Sequence, residues 1–210
     1  MPRPTGTLAG LEADWFYLPG PYSSVRSTDD GSERATVSAE RDGAWTVAIG
    51  DPPTTIEVER LPDGRPATAS IANPERNETV VFDPPLALVP APEQPTPAAE
   101  SVDVTLYRGL IVQEGQRPTR TGTATRTFFA VEPATWVFEG REVPAQRMAH
   151  ELLLDFGAAK VRQRYDSLAV EGRGIVRQEM IERVTFLGVR VDGRTETFEI
   201  TSFVEERSVP

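Results

Sequence analysis

The side chains with chemistry to offer in this chain are one histidine and many carboxylates. His150 is the single histidine among 210 residues, beside 32 Asp and Glu and no cysteine. A hydrolytic triad through His150 needs a serine and a carboxylate delivered by the fold. No Gly-x-Ser-x-Gly stretch marks a nucleophile elbow. One histidine and no thiol exclude multi-histidine and thiolate metal sites. Paired acids suit glycoside hydrolysis, and two pairs stand out, Glu139 with Glu142 and Glu179 with Glu182. With carboxylates this abundant, chance produces such spacings. Asp29-Asp30-Gly31 opens like a calcium loop but lacks the ligands that should follow. Neither phosphate-loop motif occurs, and Gly172-Arg173-Gly174 has no helix start after it. No cofactor or metal is expected. The residues favour a non-enzymatic protein, with a carboxylate-dependent glycan hydrolase as the alternative.

Positioning those residues falls to strands. Nineteen prolines scattered along the chain interrupt long helices. Asp42-Gly43, Asp63-Gly64 and Asp192-Gly193 read as hairpin turns between short alternating runs. Trp45, Val47 and Ile49 share one phase, as do Val102, Val104 and Leu106. Thr121, Thr123, Thr125 and Thr127 form the outer phase of a half-exposed strand. The clearest alternation sets Ala159, Val161, Gln163 and Tyr165 against Lys160, Arg162, Arg164 and Asp166. Ser23 to Ser32 is polar and rich in turn formers, so it reads as a connection. Val143 to Phe156 fits a helix by its four-residue spacing and a strand by its two-residue spacing. The strand is preferred over residues 146–155, with His150 facing inward or towards a cleft.

Residues 1–7 are expected to be a flexible tail, with an ordered stretch from Leu8 to Leu18 around Trp15-Phe16-Tyr17. Residues 8–207 are expected to form one β domain. Within it, the proline-rich segment 84–99 cannot be central sheet, because prolines lack amide donors. It is expected as an extended surface crossing.

Net charge is −10 and the sequence pI about 4.7. Such a surface repels nucleic acid unless a local basic patch overcomes it. No stretch approaches the apolar length of a transmembrane helix.

Several stretches together resemble a family. Val143-Pro144-Ala145, Tyr165, Gly172, Gly174, Ile175-Val176-Arg177 and Glu179 follow a V-P-A-G-T-F … W-Y-A-P-G-V-G-L-V-K-x-E pattern. Gln146 stands where that pattern has glycine, and Arg173 where it has a small apolar residue. Asn77 to Pro90, ending F-D-P-P-L-A-L-V-P, is similar to a P-P-L-L-L-L-P crossing. The chain thus resembles, over residues 77–182, a family of uncharacterised bacterial periplasmic proteins and lipoproteins (TapB-like). The resemblance implies an all-β fold built on a strongly curved antiparallel sheet, a half-barrel or incomplete barrel with meander connectivity. It also implies an address in the periplasm or outer cell envelope. The opening Met-Pro-Arg-Pro-Thr-Gly-Thr has no signal-peptide features, so that address expects the signal to have been removed. No catalytic residue carries over. The expected partner is an envelope protein or a hydrophobic ligand.

A curved sheet gathers one phase of each strand on its concave face. Met148, Leu152 and Phe156 from one strand and Phe198 and Ile200 from the last hairpin are expected there. They either close on each other as a dry core or line a cavity for an acyl chain.

Overall fold

A computed structural model describes residues 20–91, 94 and 97–204, with the backbone alone at 203–204. The expected tail and the Trp15-Phe16-Tyr17 stretch lie outside these residues. Twelve antiparallel strands follow one another around a closed barrel. They are β1 (Tyr22–Thr28), β2 (Gly31–Val37), β3 (Ala44–Ile49), β4 (Thr54–Arg60), β5 (Pro66–Asn73) and β6 (Glu78–Ala87). The remainder are β7 (Ala98–Arg108), β8 (Arg120–Phe138), β9 (Arg141–Phe156), β10 (Ala159–Val170), β11 (Gly174–Phe186) and β12 (Val189–Val204). Each strand pairs with its neighbours in sequence, and β1 pairs with β12 to close the ring.

Closure corrects the expected half-barrel. The closing strand is the polar Tyr22–Thr28, which the sequence presents as a connection. Ser23 pairs with Val204 and Thr28 with Phe198 on one side, while Tyr22 to Thr28 pair with Val37 to Gly31 on the other. Its serines satisfy the ladder through their backbones, and Ser23 and Ser24 are buried. With no apolar alternation to announce it, the twelfth seam is invisible in the sequence.

The Val143–Phe156 ambiguity resolves as strand. β9 carries Met148, His150 and Leu152 into the interior, all buried. β10 points Val161, Gln163 and Tyr165 the same way and Lys160, Arg162 and Arg164 outward. Registers then stack inward side chains in rows across the wall. One row runs Arg126, Leu152, Gln163, Glu182, Arg194 over β8 to β12. The next runs Phe128, His150, Tyr165, Met180, Glu196, and the one after it Val131, Met148, Ser167, Gln178, Phe198.

Two further expectations are corrected. The segment 84–99 is not wholly a surface crossing, since β6 continues through Pro84-Pro85 to Ala87. Between the pairs Ser70–Val81 and Thr68–Leu86 the register shifts. Both prolines sit in that irregularity, where missing donors cost no ladder bond. Leu86, Ala87, Leu88 and Val89 then enter the core instead of crossing the surface. Secondly, Asp192-Gly193 is not the last hairpin turn. β12 runs straight through it, with Val191 the extra residue of a bulge. The turn is Leu187-Gly188, closed by Phe186 pairing with Val189. Both turn residues are left-handed, with φ of 49° and 81°. That conformation suits Asn, Asp or Gly, and a leucine there costs about 1 kcal/mol.

The wall is uneven. β8, β9 and β12 have 19, 16 and 16 residues, whereas β2 and β3 have 7 and 6. The β9–β10 and β11–β12 hairpins therefore project beyond the short side. Of β12, Phe198 to Val204 meets β1, leaving Val189 to Glu196 without a second neighbouring strand among the described residues. Four apolar clusters fill the barrel. Phe82, Leu86, Val104, Ala124 and Leu152 form one, and Val37, Trp45, Val58 and Leu88 another. Fully burying side chains of this size contributes about 2–3 kcal/mol each.

Candidate functional site

The strongest concentration of polar groups inside the wall lies where the long hairpins project. Glu182 is central to it and only 2% exposed. β11 turns it inward because it keeps phase with Val176 and Met180. A buried carboxylate needs compensation from every side. Arg76, on the β5–β6 turn across the barrel, donates from Nη2 to Glu182 Oε1 at 3.0 Å. Arg194 Nε stands 3.4 Å from the same oxygen. Gln163 Nε2 donates to Oε2 at 2.6 Å, and Tyr165 Oη donates to Gln163 Oε1 at 2.6 Å. Arg194 also pairs with Glu196 at 2.7 Å. Glu196 sits in the open mouth, and burial raises its carboxyl above the usual range. Arg194 pulls the other way, while Glu182, Glu33 and Glu75 add to the rise.

Below this cluster lies an aromatic layer. His150 stacks on Tyr165 with ring centroids 4.6 Å apart and 12° between planes, and meets Phe128 at 5.9 Å. Its Nδ1 is buried with no hydrogen-bond partner among the described residues. Burial first, and the charge of Arg126 second, hold His150 well below its ordinary pKa. Arg126 donates from Nη1 to the Ala87 carbonyl at 2.6 Å. Further along, the Arg26 guanidinium lies 4.2 Å from the Phe198 ring centroid, a cation–π contact inside the wall.

The sequence-predicted residues divide as follows. Met148 packs with Val89, Phe128 and Ala169. Leu152 packs with Phe82 and Leu86, and half-buried Phe156 lies against that cluster. Ile200 is buried with Trp136 and Val176, with Phe198 against them. All five face inward, but they belong to three clusters. Glu179 and Glu182 are three apart on a strand, so they fall on opposite faces, and Glu179 is exposed. Glu139 lies in the β8–β9 turn, and Glu142 is exposed. Asp29 accepts from the Thr197 amide at 3.2 Å and its hydroxyl at 2.7 Å, which ties the first turn to β12. Among the described residues no group of three or more His, Asp or Glu is placed to hold a metal ion.

Sequence reasoning did not find Arg76 or Arg194. Arg76 meets Glu182 across 106 residues, and no local pattern signals such a pairing. A groove of about 550 Å³ lies elsewhere, at Ser38, Trp45, Glu57 and Val58. A second, about 310 Å³, lies on the outer wall between Leu153, Ile181 and the cations of β10 and β11. Among the described residues no helix is long and apolar enough to cross a membrane.

Together the fold and site define a closed twelve-stranded antiparallel barrel with a side-chain-filled interior and a charged mouth. No protein-family model and no curated protein matches the chain. Among solved structures it is similar to the hypothetical lipoprotein YmcC from Escherichia coli (K12), with a TM-score of 0.45 and 10% identity over 87% of this chain and 85% of that one.

Proposed function

We propose that this chain is a non-enzymatic domain of the bacterial cell envelope that acts as a binding or structural module through its outer surface. The observation that carries the reading is the filled interior. Phe128, Leu86, Met148 and Leu152 are completely buried by their neighbours, and Arg76 reaches over Glu182 at the mouth. An interior occupied by the protein's own side chains favours an outward-acting module over an acyl-chain carrier. The envelope address rests on the V-P-A … G-R-G-I-V-R sequence pattern. Two measurements test the reading. Fractionation of the native host should place the protein in the envelope. Native mass spectrometry of protein purified from that fraction should show no non-covalently bound lipid. A cytoplasmic location would sink the address, and a stoichiometric non-covalent lipid would replace the outward-acting module with a carrier.

One observation favours a second reading, glycan hydrolysis. Glu182 and Glu196 lie in the same inward phase of adjacent strands, and burial raises the Glu196 carboxyl, the direction a general acid needs. Release of reducing ends from envelope glycans by the wild-type chain, lost in both Glu182→Gln and Glu196→Gln, would establish it in place of the first.

A further inference from the structure

The projecting end of the barrel combines features that the interior does not explain. At the tip of the β11–β12 hairpin, Phe186, Leu187 and Val189 are 44%, 73% and 67% exposed. Leu187 holds a left-handed position where a polar Asn would sit more easily. Its amide donates to the Ala158 carbonyl at 2.7 Å, fixing it to the β9–β10 turn. On the other side of that turn, the β7–β8 loop raises Leu110, Ile111 and Val112 at the same end, with Ile111 80% exposed. Large apolar side chains on two tips of one rim, with the β9–β10 turn between them, are unusual for a surface that meets only water.

Charge follows the same distribution. The chain carries a net charge of −10, yet the outer wall behind these tips is basic. Lys160, Arg162, Arg164 and Arg183 line a groove of about 310 Å³ floored by Leu153 and Ile181. Asp155 answers Lys160, and Glu151 answers both Arg162 and Arg164. Arg183 has no carboxylate within ion-pair distance among the described residues. Arg108, Arg117 and Arg120 flank the second apolar tip, with Glu114 among them. The acidic turns Asp29-Asp30 and Asp51 lie at this end on the opposite, short side of the barrel.

We propose that this rim docks on an anionic phospholipid bilayer, a partner that goes beyond the outward-acting envelope domain and rests on that reading. The two apolar tips enter the headgroup–acyl boundary. Lys160 follows about 3 Å and Arg162 and Arg183 about 10 Å along the strands from the hairpin ends, about one Debye length or less from the lipid phosphates. A partner strand added to the edge of β12 at Val189 to Glu196 fits less well. The Val191 bulge and the charges of Arg190, Asp192 and Arg194 interrupt that edge.

Co-sedimentation with vesicles tests this, using phosphatidylcholine alone and phosphatidylcholine with one-third phosphatidylglycerol. The intact chain should bind the anionic vesicles at least tenfold more tightly and release them in 0.5 M salt. Leu187→Asn should lower that binding about tenfold while leaving the melting temperature unchanged or raised. Arg162→Glu with Arg183→Glu should lower it by more, since each cation near such a surface is worth about fivefold. Equal binding to both vesicle types, no binding to either, or full binding by Leu187→Asn would overturn the proposal. So would a concentration-dependent dimer abolished by Leu187→Asn, because the rim would then be covered by a second copy. Loss of vesicle binding leaves the envelope address standing, whereas a cytoplasmic location removes that address whatever the vesicles show.

Discussion

His150 is the residue whose environment most directly sets a solution property. It is neutral in the folded state, since burial and then Arg126 hold its pKa well below 6.5. The unfolded chain takes up a proton near the ordinary value, so it binds more protons than the folded chain below that pH. Stability from this group is therefore complete above about pH 6.5 and declines as pH falls, by at most about 1.4 kcal/mol per pH unit. His150→Phe keeps a ring against Tyr165 and removes an Nδ1 unpartnered among the described residues. Removing a buried unsatisfied group with little change of shape is neutral or stabilising. Urea unfolding at pH 7.5 and pH 5 should show the variant at least as stable as wild type at the higher pH, with a smaller loss at the lower. A variant as pH-sensitive as wild type would show that other groups govern the acid limb. Glu182→Gln tests the neighbouring cluster. It leaves Arg76 and Arg194 facing a neutral amide, and because both arginines are partly exposed the expected loss is about 2–3 kcal/mol. An unchanged urea midpoint would mean that solvent already screens those pairs.

Among the elements, β1 has the greatest structural leverage for its length. Seven residues close the ring, and Ser24 pairs with Phe203 on one side and Ala35 on the other. A proline there removes an amide donor and clashes with a strand flanked on both sides. Ser24→Pro should destabilise by about 3 kcal/mol or more. It should also expose β12 to limited proteolysis before global unfolding. Wild-type digestion kinetics would show that the barrel tolerates an open seam. The projecting β11–β12 hairpin presents the opposite case. Its turn is locally unfavourable at Leu187, and its outer residues contribute little to the core. Such an element persists on the strength of the ladder behind it, where Arg177 to Phe186 pair with Glu199 to Val189.

Across the whole molecule, strength is unevenly distributed around the ring. β2 and β3 meet through three pairs, Ala35 with Ile49, Thr36 with Ala48 and Val37 with Val47. β8 and β9 pair continuously from Thr123–Asp155 to Phe138–Arg141, with one bulge. Local opening follows the number of buried apolar contacts and ladder bonds that must break together. Native-state hydrogen exchange should therefore open the β2–β3 seam first, with protection rising towards β8, β9 and β10. Uniform protection around the barrel would indicate that the twelve strands open as one unit.

What the sequence determined by itself was local. The period-two pattern at Ala159 to Asp166 assigned each side chain to its face, and β10 places them so. The same arithmetic fitted Val143 to Phe156 to a helix as well as a strand and only favoured the strand; β9 is that strand, with Met148, His150 and Leu152 inward. Strand phase depends only on alternating backbone geometry, so it survives any tertiary arrangement. What only the tertiary structure decided was long-range. Barrel closure joins Ser23 to Val204, and Arg76 reaches Glu182, through partners that neither local sequence names. The polar Tyr22–Thr28 becomes a strand because two neighbours supply its ladder, against its own composition. Leu187-Gly188 displaces Asp192-Gly193 as the turn because register is fixed along the whole length of β11 and β12, outweighing local turn preference. Period two fixes which side chains share a face; the closure of the ring fixes how far apart the facing walls stand, and so whether the space between them is filled.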